Sequence, residues 1–173
     1  MKRLMLLLLL ITALPASASA HGGGAPQLVN ESAGPYWVSV WTSPEPAREG
    51  PLHFSISIAE PGQGQEQQAG PPVLGASVQV TLTPRSGGFA AINAPATNEQ
   101  SANKLFYEAD LSVPSAGDWT VEIDVEGAEG SGQARFNLAV QPAQSSNGLL
   151  LGGLAFVLLA GFFLFYALRS RHD

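Results

Sequence analysis

Two histidines carry the metal chemistry available to this sequence. His21 lies in the stretch "ASASAHGGG", residues 16–24, where Ala18 and Ala20 form the A-x-A pattern of a signal-peptidase cut. Cleavage there would leave His21 first, with a free α-amino group beside its imidazole. Those two nitrogens can chelate Cu(II), which takes nitrogen ligands in tetragonal geometry. Such a site needs a further ligand, and His53 is the other histidine ahead of the C-terminal apolar run. In "LHFSISI", residues 52–58, the alternation turns His53, Ser55 and Ser57 away from the apolar face and leaves the imidazole accessible. His21 and His53 are therefore the candidate metal residues, with Cu(II) as the ion. The plainer reading is of two solvated histidines without ligands. Fourteen Gly-rich and polar residues, Gly22 to Pro35, separate His21 from the first alternating run, and ordering them would cost binding energy.

The remaining chemistry is sparse. With no cysteine, the chain has no thiolate nucleophile, no thiol redox motif and no disulfide. Its two methionines, Met1 and Met5, fall in the first twenty residues, so the processed chain lacks the soft sulfur ligands that favour Cu(I). The acids Glu108, Asp110, Glu122, Asp124 and Glu126 offer hard oxygen ligands for Ca²⁺, yet they follow no EF-hand spacing and read as a solvated acidic face. Neither a nucleophile elbow nor a phosphate-cradling glycine loop before a helix is present. No residue is assigned a catalytic role, and an enzyme is not expected.

The two ends of the chain place these residues. Lys2 and Arg3 precede the apolar run Leu4 to Leu14, which with the A-x-A site reads as a signal peptide over residues 1–20. Residues Leu149 to Leu168, "LLLGGLAFVLLAGFFLFYAL", contain no charge. At about 1.5 Å rise per residue they match a hydrocarbon core of about 30 Å, so residues 148–168 read as a single-pass transmembrane helix. Arg169 and Arg171 follow at once, which puts the tail 169–173 in the cytoplasm and residues 21–147 outside it. Gly148 and Gly152 form a GxxxG spacing for a membrane-protein partner at the outer end of the span.

Charge narrows the partners. The outer segment holds four basic residues, Arg48, Arg85, Lys104 and Arg135, against thirteen acids, which leaves −9. Nucleic acid is excluded as a partner because no basic stripe exists to displace counterions. Anionic headgroups are disfavoured likewise, so membrane contact is expected through Leu149 to Leu168 alone.

Between the ends the apolar period is two. "DWTVEIDVE", residues 118–126, puts Trp119, Val121, Ile123 and Val125 on one face and acids or threonine on the other. Similar alternation recurs from Tyr36, Leu52, Val78, Tyr107 and Phe136, with a weaker run near Phe89 to Ile92. Trp37 and Trp41 share the face opposite Tyr36, Val38 and Val40, either as a binding surface or packed against a neighbouring strand. About seven strands separated by Gly, Pro and Ser predict an all-β, immunoglobulin-like antiparallel sandwich over residues 35–140. Residues 21–34 read as a flexible arm and 141–147 as a tether. If "GAEG", residues 127–130, is a hairpin turn, Glu122 falls opposite Arg135 and Val121 opposite Phe136, both favourable pairs. A hairpin at "PSAGD", residues 114–118, would instead set Asp110 against Glu122 and Glu108 against Asp124. That link is therefore predicted to cross between sheets.

The segments "GPYWVSVWTSPEP" (34–46), "EGPLHFSISI" (49–58), "GASVQVTL" (75–82) and "GDWTVEI" (117–123) resemble the YtkA-like and FixH-like extracytoplasmic domains, which are related to the CopC sandwich. The likeness spans roughly Gly34 to Val140. It implies a sandwich that serves copper handling or respiratory oxidase assembly, with a copper site built on an N-terminal histidine and a further His and Asp. His21 fits the first of these positions, and no late Asp-x-His pair is present.

Overall fold

A computed structural model describes residues 24–62, 69–99 and 101–144. The expected signal peptide, His21, the transmembrane helix with its GxxxG spacing and the cytoplasmic tail lie outside the described residues. Eight strands form: β1 (Ala25–Ala33), β2 (Tyr36–Ser43), β3 (Gly50–Ala59), β4 (Ser77–Pro84), β5 (Ile92–Ala96), β6 (Tyr107–Val113), β7 (Gly117–Gly127) and β8 (Gly130–Val140). They make two four-stranded antiparallel sheets, β1-β2-β3-β6 and β5-β4-β7-β8. This is an all-β sandwich.

Period-two alternation builds the core. From β7, Trp119, Val121, Ile123 and Val125 are all buried, and they meet Tyr36, Val38, Val40, Phe54 and Ile56 of the other sheet in one cluster. Each fully buried side chain of this size contributes about 1.5–3 kcal/mol of transfer free energy. The indole Nε1 of Trp119 donates to the Ser115 carbonyl at 3.2 Å, so its polar atom is satisfied inside the core.

Both predicted connections are observed. The β7–β8 hairpin pairs Glu122 with Arg135 and Val121 with Phe136, and the Arg135 Nε lies 2.7 Å from the Glu122 carboxylate. The β6–β7 link crosses between sheets, which sets Asp110 opposite His53 and Glu108 opposite Ser55.

Two segments differ from the sequence reading. Residues 25–33, read as part of a flexible arm, form β1 and extend the first sheet beyond β2. The ladder slips between Pro26 and Leu28 and again between Leu28 and Glu31, and Asn30 has a φ of 52°. These irregularities erase the period of two, and only Ala33 of the strand is buried, so no apolar face announces it. The weak run near Phe89 is a loop, and β5 begins only at Ile92. With Pro95 in its interior, β5 is confined to an edge. Gly132 lets β8 close against β1, since a Cβ there would collide with the Ala33 carbonyl.

Tyrosine hydroxyls fasten the end of the sandwich remote from the C-terminal exit. Tyr107 Oη donates to the Val73 carbonyl and accepts from the Ala76 N–H, both at 3.0 Å, and so pins the approach to β4. Tyr36 Oη accepts from Glu129 N–H at 3.1 Å and donates to Gly130 O at 3.3 Å across the β7–β8 turn. Burial pushes the Tyr107 phenol above its ordinary value of about 10, partly opposed by the Ala76 hydrogen bond. A raised phenol binds its proton more tightly folded than unfolded, so its contribution is full below about pH 10 and is lost as the pH rises through the folded value. Tyr107→Phe should therefore lower stability by about 1–3 kcal/mol at neutral pH and flatten the decline above pH 10, as read by urea unfolding across pH 7–11.

Candidate functional site

The outer face of the β1-β2-β3-β6 sheet gathers the residues with chemistry. Strand register arranges them in rows: Trp41, Ser55 and Glu108 in one, Ser43, His53 and Asp110 in the next, with Ser39 and Ser57 paired beyond Trp41. As the alternation requires, Leu52, Phe54, Ile56 and Ile58 of β3 enter the core while His53, Ser55 and Ser57 take the outer face.

His53 is oriented from both sides. Its Nδ1 lies 2.9 Å from Asp110 Oδ1, and its Nε2 lies 3.2 Å from Ser55 Oγ. A carboxylate only accepts, so Nδ1 carries the proton; in the neutral ring Nε2 is then the acceptor and Ser55 the donor. The imidazole is 36% exposed and the Asp110 carboxylate 86%, which makes the pair a surface contact worth at most about 1 kcal/mol. Its effect is on tautomer and ring orientation.

Aromatic side chains border this polar row. Trp41 and Phe106 meet edge to face, with ring centroids 5.6 Å apart and planes at 75°, and both are half-buried. Trp37 is half-buried on the same strand face. The two tryptophans thus pack in part against neighbours and in part face solvent. Ser39 and Ser55 are each only 5% exposed on this outer face. Ser39 is satisfied by Asn30, whose N–H donates to Ser39 Oγ at 2.9 Å while its Oδ1 accepts from the hydroxyl at 3.2 Å.

The series Asp110, His53, Ser55 has the connectivity by which a carboxylate and an imidazole activate a serine hydroxyl. Here the hydroxyl is almost wholly covered. β3 also has ladder partners on both sides, so its own amides along this row are taken up in the sheet. Metal-ligating histidines commonly donate their second ring N–H to a carboxylate, the arrangement that Asp110 provides. Among the described residues, no group of three or more His, Asp or Glu converges in metal-holding geometry.

Of the two sequence-derived candidates, His53 is placed on the outer face and His21 lies outside the described residues. The five acids that the sequence groups as one face are divided by the fold, with Glu108 and Asp110 on the first sheet and Glu122, Asp124 and Glu126 on the second. There Asp124 and Glu126 line a shallow polar groove with Gln79 and Gln133, on the opposite side of the sandwich from His53. The Asp110–His53 pairing is the part of the site that sequence reasoning misses. The signal for it is the β6–β7 crossover, because β6 must then pair elsewhere.

Compared with protein-family models, with curated proteins and with solved structures, the chain matches none of them.

In Asp110→Ala the acceptor for Nδ1–H is gone, and the His53 ring should shift toward the Nε2–H tautomer. Long-range ¹H–¹⁵N spectra of the neutral ring would report this, with global stability changed by less than about 1 kcal/mol.

Proposed function

We propose that this chain is a membrane-anchored extracytoplasmic accessory protein, an immunoglobulin-like sandwich that works by binding and not by covalent catalysis. The strand order supports the immunoglobulin-like reading: β2-β3-β6 against β5-β4-β7-β8 corresponds to A-B-E against C′-C-F-G, with β1 added at one edge. Signal-like residues 1–20 and the uncharged span from Leu149 support the anchor and its orientation. The observation that carries the binding reading is the outer face of the first sheet, where the Trp41–Phe106 pair stands beside the oriented His53–Asp110 row. A photocrosslinker at position 41 in intact membranes is expected to yield one discrete adduct, absent when the probe sits at Asn137 on the other sheet. Identical adducts from both positions would sink the assignment of this face.

A second reading, a Cu(II)-binding accessory protein for copper handling or oxidase assembly, gains support from two features. Asp110 holds Nδ1 of His53, so the Nε2 lone pair is the one a metal would take, in place of the Ser55 hydroxyl that donates to it at 3.2 Å. β1 also shortens the intervening chain, because Ala25 already pairs with Thr42, and the next residue, Ser43, pairs with His53. Only residues 22–24 then separate His21 from the sheet, instead of fourteen. The donor set, one amine and two imidazoles with a carboxylate behind one ring, suits Cu(II). The resemblance to YtkA-like and FixH-like domains points the same way.

N-terminal sequencing of the exported protein should read His21 first. Calorimetric titration of that protein with Cu(II) should show binding that weakens by about 10–100-fold in Asp110→Ala and is lost in His21→Ala and His53→Ala. Equal affinity in all four proteins would remove copper from the account.

A further inference from the structure

Four large apolar side chains are exposed among the described residues, Val29, Leu74, Phe89 and Leu105, and of these Phe89 is the one at the end of the sandwich where the chain leaves. Phe89 is 51% exposed, although it is among the bulkiest apolar side chains of the sequence. It lies in the β4–β5 loop, residues 85–91, where every residue is exposed and the others are Arg85, Ser86, Gly87, Gly88, Ala90 and Ala91. Gly87 and Gly88 have φ values of 73° and 95°, conformations that side chains oppose, so the turn that presents Phe89 depends on them.

The loop stands at the end of the sandwich where the chain leaves it. Arg85 N–H donates to the Asp118 carbonyl at 2.9 Å, and Asp118 pairs with Ala139, two residues before Gln141. On the other sheet Gln141 is held by Ala47 and Glu49 through hydrogen bonds of 2.8 and 2.9 Å. Arg48 reaches the Pro142 carbonyl, and Glu49 accepts from the Ala143 N–H. The exit is thus fixed as far as Ala143. From Gln144 to Leu149, the first residue of the uncharged run, there are five residue steps, which reach at most about 18 Å even fully extended.

We propose that the loop 85–91 is a second membrane contact, with Phe89 seated in the interfacial layer of the outer leaflet. The inference rests on the reading of residues 149–168 as a membrane span. The headgroup layer is about 5–8 Å deep on each side of the hydrocarbon, comparable with the short reach of the tether. Apolar rings bury readily at that boundary. Charge at this end is close to balanced, with Arg48 and Arg85 against Glu45, Glu49 and Asp118 in number, and the Glu49 carboxylate accepts two backbone N–H groups. The contact therefore draws on apolar burial and does not require anionic lipid.

The full chain contains no cysteine, so single thiols can be placed cleanly. Ala90→Cys, Leu105→Cys and Ser145→Cys, each carrying a polarity-sensitive fluorophore, would be reconstituted in phosphatidylcholine vesicles containing lipids with a shallow nitroxide quencher. Leu105 is an exposed apolar residue of the β5–β6 loop at the far end and serves as the reference. Labels at 90 and 145 should be quenched at least about threefold more than the label at 105. Adding Phe89→Ser should abolish the excess at 90 and leave 145 unchanged. Quenching at 145 with none at 90, or quenching at 90 that survives Phe89→Ser, overturns the loop contact while the anchor stands. Absence of quenching at 145 overturns the anchor and the loop contact with it.

Discussion

The sandwich depends on burial between two sheets that no covalent crosslink joins. With no cysteine in the chain, the sheets stay together because β7 and β3 each present an unbroken row of large apolar side chains to the other. β7 is decisive because it pairs with β4 on one side and β8 on the other, and its Trp119 is among the largest fully buried side chains. The indole also reaches back to Ser115 and so fixes where the β6–β7 link enters the second sheet. Core packing and chain crossing are thereby coupled in one residue.

The same alternation that fills the core sets the chemistry of the surface. Every second residue of β3 goes inward, which obliges His53 to face out in register with Asp110. The carboxylate that orients the imidazole comes from 57 residues further along the chain, on a strand whose link to β7 crosses between the sheets and so avoids like-charge pairs. The direct energy of an exposed His–Asp contact is small, and avoiding a Glu108–Asp124 and Asp110–Glu122 confrontation favours the observed strand order by a similar amount, about 0.2–1 kcal/mol per pair.

How far the sequence reveals this arrangement depends on the regularity of each strand. β2, β3, β4, β6, β7 and β8 are legible because their inward positions repeat every second residue, and the β7–β8 register follows from the Glu122–Arg135 and Val121–Phe136 pairs. β1 is not, since its ladder slips twice before Glu31 and it buries little beyond Ala33. β5 starts a few residues later than hydrophobicity suggests, because Phe89 is apolar without being in the core. At the site, the accessibility of His53 can be read from its neighbours. Its partnership with Asp110 cannot be read from spacing, as it arises from strand order.

The way the chain departs from the sandwich bears on how it carries force. Gln141 is gripped through both its N–H and its carbonyl by the segment 47–49, in a parallel bridge to the opposite sheet. Tension on the C-terminal chain is therefore shared between β8 and the β2–β3 connection before either strand can peel. A load on the C-terminal chain must break two sets of hydrogen bonds, those of β8 with β7 and those of Gln141 with the segment 47–49, where the chain has no cysteine to join the sheets.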